Sequence, residues 1–334
     1  MAYEILLIGL DQVGASIGMA LSDTEGDIVR IGYDPDRRLS KRAENTGAVD
    51  RLVSHPRKSI TSADLVIFSL PIDEVKVYLE HLGAKTKEGV IIMDTAQVKA
   101  PFFKWAEEYL PEGRSYIGAT PIVGISNLTG GGILSDEPRA DLYAHGLLAI
   151  IAPPVASESA LAVAVNLASI LEATPFFIDL HEHDATLAST EELPVLLSAA
   201  LLQSAAHSAS WKELQRVAGR NFAHATSLCE TIPLNVFEKR LILNRQKAID
   251  TLDQFIKELL DLRDVLAEED GQGLSDYLME ADRARRSWIR AREQGDWGNE
   301  ELRPVERIKS TGLFTRLLGL RRTKPGEGKQ SLER

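Results

Sequence analysis

Gly9-Leu10-Asp11-Gln12-Val13-Gly14-Ala15-Ser16-Ile17-Gly18 follows directly on the apolar run Tyr3-Glu4-Ile5-Leu6-Leu7-Ile8. A strand that turns on glycine into a helix is the setting in which backbone N–H groups meet a pyrophosphate. In the fingerprint G-x-G-x-x-G the first glycine makes the tight turn. The second lets backbone approach the phosphates, and the third lets helix and strand pack closely. Gly9 and Gly14 hold the first and third places, with Val13 leading into the helix, but Asp11 holds the second. Its carboxylate adds bulk and negative charge beside two phosphates. Two unit charges about 5 Å apart, at an effective dielectric near 20, repel by about 3 kcal/mol. That is on the order of a hundredfold in affinity. Asp11 escapes the repulsion only by turning to solvent or by taking up a proton. The spacing thus predicts a dinucleotide-binding fold with weakened dinucleotide binding. The other reading is a turn that has kept its shape and lost its ligand.

Asp34 lies 25 positions after Gly9, at the end of a second apolar run. An acid there can bond a ribose 2′-hydroxyl and repel a 2′-phosphate, which favours NAD over NADP. Arg37 and Arg38 stand close enough to soften that preference. Asp34 also fits the cap of a helix that opens at Pro35. The two roles are compatible.

These side chains need a frame. Apolar runs at 28–34, 64–71, 90–94, 116–121 and 147–152 read as strands, with 175–180 as one more. Helical patterns fill 35–46, 73–84, 98–109 and 157–172. Such alternation predicts a parallel sheet covered on both faces. From about His181 the pattern changes to long helices over 183–218, 234–268 and 274–293, with apolar residues three and four apart. The expected fold is α/β, an N-terminal Rossmann dinucleotide-binding domain over 1–178 followed by an all-helical domain over 179–295. A basic tail over 296–334 ends the chain. Helices this apolar on one face predict a homodimer through the second domain.

Charge and cysteine usage narrow the classes. The net charge is −11, but residues 303–334 carry nine Lys/Arg and three Asp/Glu, which is +6. The other 302 residues carry 29 basic and 46 acidic side chains, which is −17. So acidic a body excludes nucleic acid as the expected partner. The single Cys229 excludes an internal disulfide framework and a thiolate metal cluster. No leader and no run long enough to span a bilayer is read, so the cytoplasm is the default location. Residues 313–322 form a short basic amphipathic stretch, read as part of a mobile tail rather than a membrane anchor.

With the elements placed, the chain resembles the prephenate/arogenate dehydrogenases of tyrosine biosynthesis over about residues 3–268. The likeness is carried by the Gly9 to Ser16 turn, Gly32-Tyr33-Asp34, Gly47-Ala48-Val49-Asp50 and Asp94 through Lys99. It continues through Gly118 to Gly124, His183-Asp184, Leu193-Pro194 and Asn244-Arg245. The resemblance implies hydride transfer from a ring hydroxyl carbon to NAD, with loss of a carboxylate as the ring becomes aromatic. It further implies a histidine in Gly-x-His-Pro and a serine in Asp-x-x-Ser-x-Lys. Thr120 and Gln97 stand at those two places. The Ser-His-Leu-Pro-His segment reads Glu191-Glu192-Leu193-Pro194-Val195, and Ser227 stands at the carboxylate-binding arginine.

The catalytic positions are therefore Thr120 and Gln97, and the cofactor positions are Gly9, Asp11, Val13, Gly14 and Asp34. Lys99, Glu192 and Ser227 are the candidate substrate-pocket residues. A threonine hydroxyl does not act as a base near neutral pH as imidazole does. Glu191 and Glu192 should repel a dicarboxylate. Arg220 and His224 are the nearest candidates for compensating charge. Two classes stay open: an oxidoreductase acting on a small cyclohexadienyl acid or a less acidic relative, and a catalytically inactive homologue that binds a nucleotide or a partner. No metal site is expected.

Overall fold

The computed structural model describes residues 2–24, 26–128, 137–230 and 233–295. The packing divides the chain into two compact units, the first covering Met1–Asp179 with Arg286–Arg334 and the second Leu180–Arg285. The expected basic tail over 296–334, with its amphipathic stretch, lies outside the described residues.

In the first unit eight strands form one sheet: β1 Tyr3–Ile8, β2 Ile28–Tyr33, β3 Arg51–Leu52, β4 Leu65–Phe68, β5 Ile91–Asp94, β6 Ser115–Ile122, β7 Leu147–Ile151 and β8 Thr174–Phe177. Their spatial order is β3-β2-β1-β4-β5-β6-β7-β8, parallel except where β6 meets β7. Ile5 to Ile8 and Leu65 to Phe68 are buried without alternation. A strand buried on both faces reads as a continuous apolar run, because helices cover the sheet on each side. Those helices are α1 Gln12–Ala20, α2 Arg37–Asn45, α3 Ile72–Leu82, α4 Ala100–Tyr109, the short α5 Ile125–Leu128 and α6 Glu158–Ile170. The two-residue β3 escapes a reading by periodicity, since two residues carry no period.

β1 has β2 on one side and β4 on the other, so the connections leave it in opposite directions. Such a switch point opens a crevice at the carboxyl ends of the strands, where α/β sheets bind ligands. The residues after β1, β4, β5 and along β6 therefore line the functional edge of this unit.

The second unit is helical. It runs α7 Leu180–Leu187, a π-helical turn Ala188–Glu192, then α8 Leu193–Ala206, α9 Trp211–Val217 and α10 Arg220–Thr226. α11 Leu234–Leu243, α12 Arg245–Ala267 and α13 Gly271–Gln294 follow. The expected helix over 183–218 ends at Ala206, and the one over 234–268 breaks at Asn244. Asn244 leaves helical geometry because its amide is held elsewhere, by Asp184 O and Glu192. The expected domain limit of 295 also differs from the packing. Arg286 onward belongs with the first unit, where Arg292 Nη2 donates to Val123 O at 2.6 Å.

The expectation that no run could span a bilayer needs correction. Leu180–Ala206 is long and apolar enough to do so by length and composition. Glu191 and Glu192 sit in its middle, and ionised side chains there are costly in hydrocarbon. On α12, Ile249, Ile256, Leu259, Leu260 and Leu266 are exposed. Their three-, four- and seven-residue spacing makes one apolar stripe.

Candidate active site

The turn after β1 has the expected shape. Gly9 has φ +101°, and a Cβ there would stand 2.1 Å from Ser69 O. Only glycine meets both conditions. A Cβ on Gly14 would likewise stand 2.1 Å from Gly9 O, so the start of α1 packs tightly on the turn. Asp11 is the N-cap of α1 and accepts the Gly14 N–H at 3.0 Å. Ser69 Oγ donates to the same carboxylate oxygen at 3.2 Å, and Thr95 Oγ1 donates to Ser69 Oγ at 3.1 Å. Asp11 thus neither turns away nor stands idle. Its carboxylate occupies the N–H groups at the helix N-terminus that would otherwise receive a phosphate. Crowding by protein pushes its pKa up, with Asp34 adding to the rise, while the Gly14 and Ser69 hydrogen bonds pull the other way.

Asp34 is buried. Oδ2 accepts the Leu10 N–H at 2.7 Å and Oδ1 the Asp36 N–H at 2.7 Å. Its carboxylate ties the glycine turn to the end of β2. Desolvation is the main cause of its raised pKa. The expected helix start at Pro35 is corrected: α2 opens at Arg37, with Asp36 as its cap. Arg38 pairs with Asp36 at 2.8 Å on the surface. A dinucleotide fits this unit in the turn, the close helix and the parallel strand ends. The Asp11 carboxylate opposes it.

At the end of β5, Lys99 is wholly buried. Its Nζ donates to Asp94 O at 2.9 Å and to Asp94 Oδ1 at 3.0 Å. Gly118 makes room for it, since a Cβ there would stand 2.9 Å from Lys99 Cδ. The expectation that Lys99 meets a substrate anion is corrected. A cation sealed from water and paired with a carboxylate holds the β5–α4 connection. Between the pair lies Gln97, whose Oε1 is buried without a hydrogen-bond partner. Thr120 is nearly buried on β6, with Oγ1 3.5 Å from Ala96 O. Thr120 therefore lies beside the backbone of the segment after β5 that carries Gln97.

The second unit holds a buried charged cluster. Glu192 is fully buried at the end of the π-helical turn. Asn244 Nδ2 donates to its Oε2 at 3.1 Å. Arg240 Nε lies 3.7 Å from its Oε1, an ion pair but longer than a hydrogen bond. Burial pushes the Glu192 carboxyl up to about 7, against the pull of Arg240 and Asn244. Burial also lowers the Arg240 pKa. His183 Nδ1 stands 3.0 Å from Asp184 Oδ1, both buried at the start of the same unit.

Two further expectations change here. Glu192 was expected to repel an acid, yet Arg240 beside it offsets its charge. Arg220 and His224, the expected sources of compensating charge, are both exposed. Arg240 is the cation that periodicity left unremarked. Its only signal was its place on the buried face of α11, three residues after Phe237 and four before Asn244. Ser227 is exposed, and its hydroxyl donates to His224 O at 2.9 Å. It caps the end of α10. Among the described residues no group of three potential ligands could hold a metal.

Comparison with known proteins matches residues 17–177 to the family model "Prephenate dehydrogenase, nucleotide-binding domain" and 179–280 to "Prephenate dehydrogenase, dimerization domain". A cyclohexadienyl dehydrogenase of Zymomonas mobilis is 27% identical over 287 residues, 84% of this chain and 94% of that protein. Two solved structures share the fold. Prephenate dehydrogenase from A. aeolicus, in complex with hydroxyphenyl propionate and NAD+, has a TM-score of 0.76 at 18% identity. That match covers 86% of this chain and 98% of that one. Synechocystis arogenate dehydrogenase has a TM-score of 0.70 at 20% identity, covering 85% and 99%. The dimerization-domain match and the apolar stripe of α12 agree on a homodimer. Light scattering at micromolar concentration should return twice the chain mass of 36.7 kDa. A single-chain mass would reject it.

Proposed function

Since this chain belongs to the prephenate/arogenate dehydrogenase family, an oxidoreductase family, we propose that it oxidatively decarboxylates a cyclohexadienyl acid with NAD, slowly, using neutral hydrogen-bonding groups in place of imidazole. The uncommitted Gln97 Oε1 at the end of β5 carries this reading. Bound NAD supplies the hydride acceptor. The stoichiometry removes the need for a strong base. The ring carbon bearing the hydroxyl gives up a hydride, the electrons of the C–CO2 bond complete the aromatic ring, and CO2 leaves. The hydroxyl proton stays on the phenol.

What the reaction does need is an acceptor for the hydroxyl hydrogen while positive charge grows on that oxygen. Gln97 Oε1 is such an acceptor, and its site is buried, where a hydrogen bond counts for more than in water. Thr120 holds the facing side from β6. An amide stabilises the charge less than an imidazole, so the rate falls. Gly9, Val13 and Gly14 shape the dinucleotide seat. Asp34 holds that seat in shape through Leu10, with its second lone pairs available to a ribose.

The test is NADH production with prephenate and with arogenate. Slow turnover is expected, and Gln97→Leu should lower kcat about tenfold to a hundredfold with little change in KM, as for a lost transition-state hydrogen bond. Unchanged kcat would remove Gln97 from this role. No turnover with either acid, together with no NAD binding at millimolar concentration, would favour the inactive homologue, the reading that Asp11 in the phosphate seat supports.

A further inference from the structure

Arg292 is the buried residue of α13. Arg283, Arg285, Arg286 and Arg290 on the same helix are exposed. A charged side chain leaves water only where it gains partners, so the burial of this one arginine needs a reason. Burial lowers its pKa, yet a guanidinium keeps its proton near neutrality. Its Nη2 donates to Val123 O at 2.6 Å, across 169 positions of sequence. Arg292 lies past residue 280, where the match to the dimerization domain ends.

Val123 follows directly on β6, three residues after Thr120. β6 pairs with β5 as far as Gly118, and from there to Ile122 its partner among the described strands is β7. Thr120 thus stands on a strand end supported from one side. Pro121 beside it has no N–H to add to the ladder. Toward β7 the packing leaves no slack. A Cβ on Gly124 would stand 2.1 Å from Ala144 O, and one on Gly146 2.1 Å from Ile122 O. Thr120 Oγ1 meets Ala96 O at 3.5 Å, the outer limit of a hydrogen bond. A small shift of the strand end decides whether that contact exists.

We propose that Arg292 is a positioning residue, whose hydrogen bond to Val123 O fixes the end of β6 and with it the place of Thr120. The guanidinium acts through the backbone and leaves the chemistry to other groups. A reacting group misplaced by about 1 Å costs on the order of a hundredfold in rate, so a tie at this strand end has a kinetic consequence. The inference rests on the proposed function for the reaction, and on the contacts of Arg292 and β6 alone for the positioning.

The test compares the full native chain with Arg292→Gln, Arg292→Lys and Glu293→Gln, an exposed neighbour on the same helix. Two readings are taken: amide hydrogen exchange along the chain, and kcat and KM with prephenate and arogenate at saturating NAD. In Arg292→Gln, exchange over 118–128 should rise tenfold or more while that over 3–20 holds, as for the loss of one charge-assisted hydrogen bond. kcat should fall about tenfold with KM little changed, a split that loss of stability alone does not produce. Arg292→Lys keeps a charged donor and should fall between the two proteins, about threefold from native in each reading. Glu293→Gln should match the native protein. Native exchange over 118–128 in a folded Arg292→Gln overturns the tie, and an unchanged kcat in an active protein overturns the positioning of Thr120. The same losses in Glu293→Gln overturn both. Should the glutamine variant not fold, the lysine variant decides, and native values in both readings overturn the proposal. Should the native chain turn over neither acid, the proposed function fails by itself and the exchange reading decides the role of Arg292.

Discussion

Replacing Asp11 with glycine should tighten NAD binding by tenfold to a hundredfold. The native carboxylate sits on the Gly14 N–H, where a pyrophosphate oxygen would sit, so a phosphate must displace it and then bear its charge. At about 5 Å and an effective dielectric near 20 the charge alone opposes binding by about 3 kcal/mol. Salt screening trims this toward the tenfold end. Asp11→Asn separates the two contributions, because it keeps a capping oxygen and loses the charge. It should recover most of the gain, and glycine the rest.

The pH dependence has a definite sign. The Asp11 carboxyl titrates above the ordinary aspartate value, chiefly through desolvation. Its contribution to folding is present below the unfolded-chain pKa and is lost as pH rises through the raised value. At neutral pH the charge opposes the fold, so Asp11→Asn should melt no lower than the native protein at pH 7. NAD affinity of the native protein should rise as pH falls toward the raised pKa, while that of the asparagine variant stays flat. Fluorescence titration of the tryptophans measures both. Equal dissociation constants for native and glycine proteins at pH 7 would show that the carboxylate does not oppose phosphate.

Lys99→Met should cost about 3–5 kcal/mol of stability, the usual cost of breaking a buried ion pair by removing one partner. The methionine fills the methylene channel beside Gly118, so the loss is electrostatic rather than a cavity. Asp94 would be left wholly buried, with the Ala96 N–H still donating to it. At about 2–4 °C per kcal/mol for a domain of this size, the melting temperature should fall on the order of 10 °C. A Lys99→Met protein that melts within 2 °C or so of the native one would mean the pair adds little.

The contrast between Asp11 and Lys99 shows where sequence reading stops. Both stood in recognisable segments, and both were expected to meet an anion from outside. Each proved to have an internal partner instead. Asp11 caps its own helix, a local contact three residues long that an Asp-x-x-Gly spacing already permits. Lys99 turns back five residues onto Asp94, through space that exists only because β6 brings Gly118 alongside. Asp34 was read for its place after β2, and that place is right. That one of its oxygens accepts the Asp36 N–H is a local turn contact, whereas the other reaching Leu10 follows from β1 and β2 pairing in register, a long-range fact.

The sequence by itself determined the alternation of strands and helices, the glycine turn, the change to long helices near residue 180 and the family resemblance. Each of these is a local pattern, and local patterns follow from period, turn chemistry and spacing. Only the tertiary structure decided which charges face each other. Glu192 and Arg240 lie 48 positions apart, and Glu192 and Asn244 52 apart. Glu192 read alone is a repulsive acid. Beside Arg240 and held by Asn244 it is half of a charge pair with open valences. The energy of a buried charge depends on its neighbours far more than on its own identity, and the fold of the chain sets those neighbours.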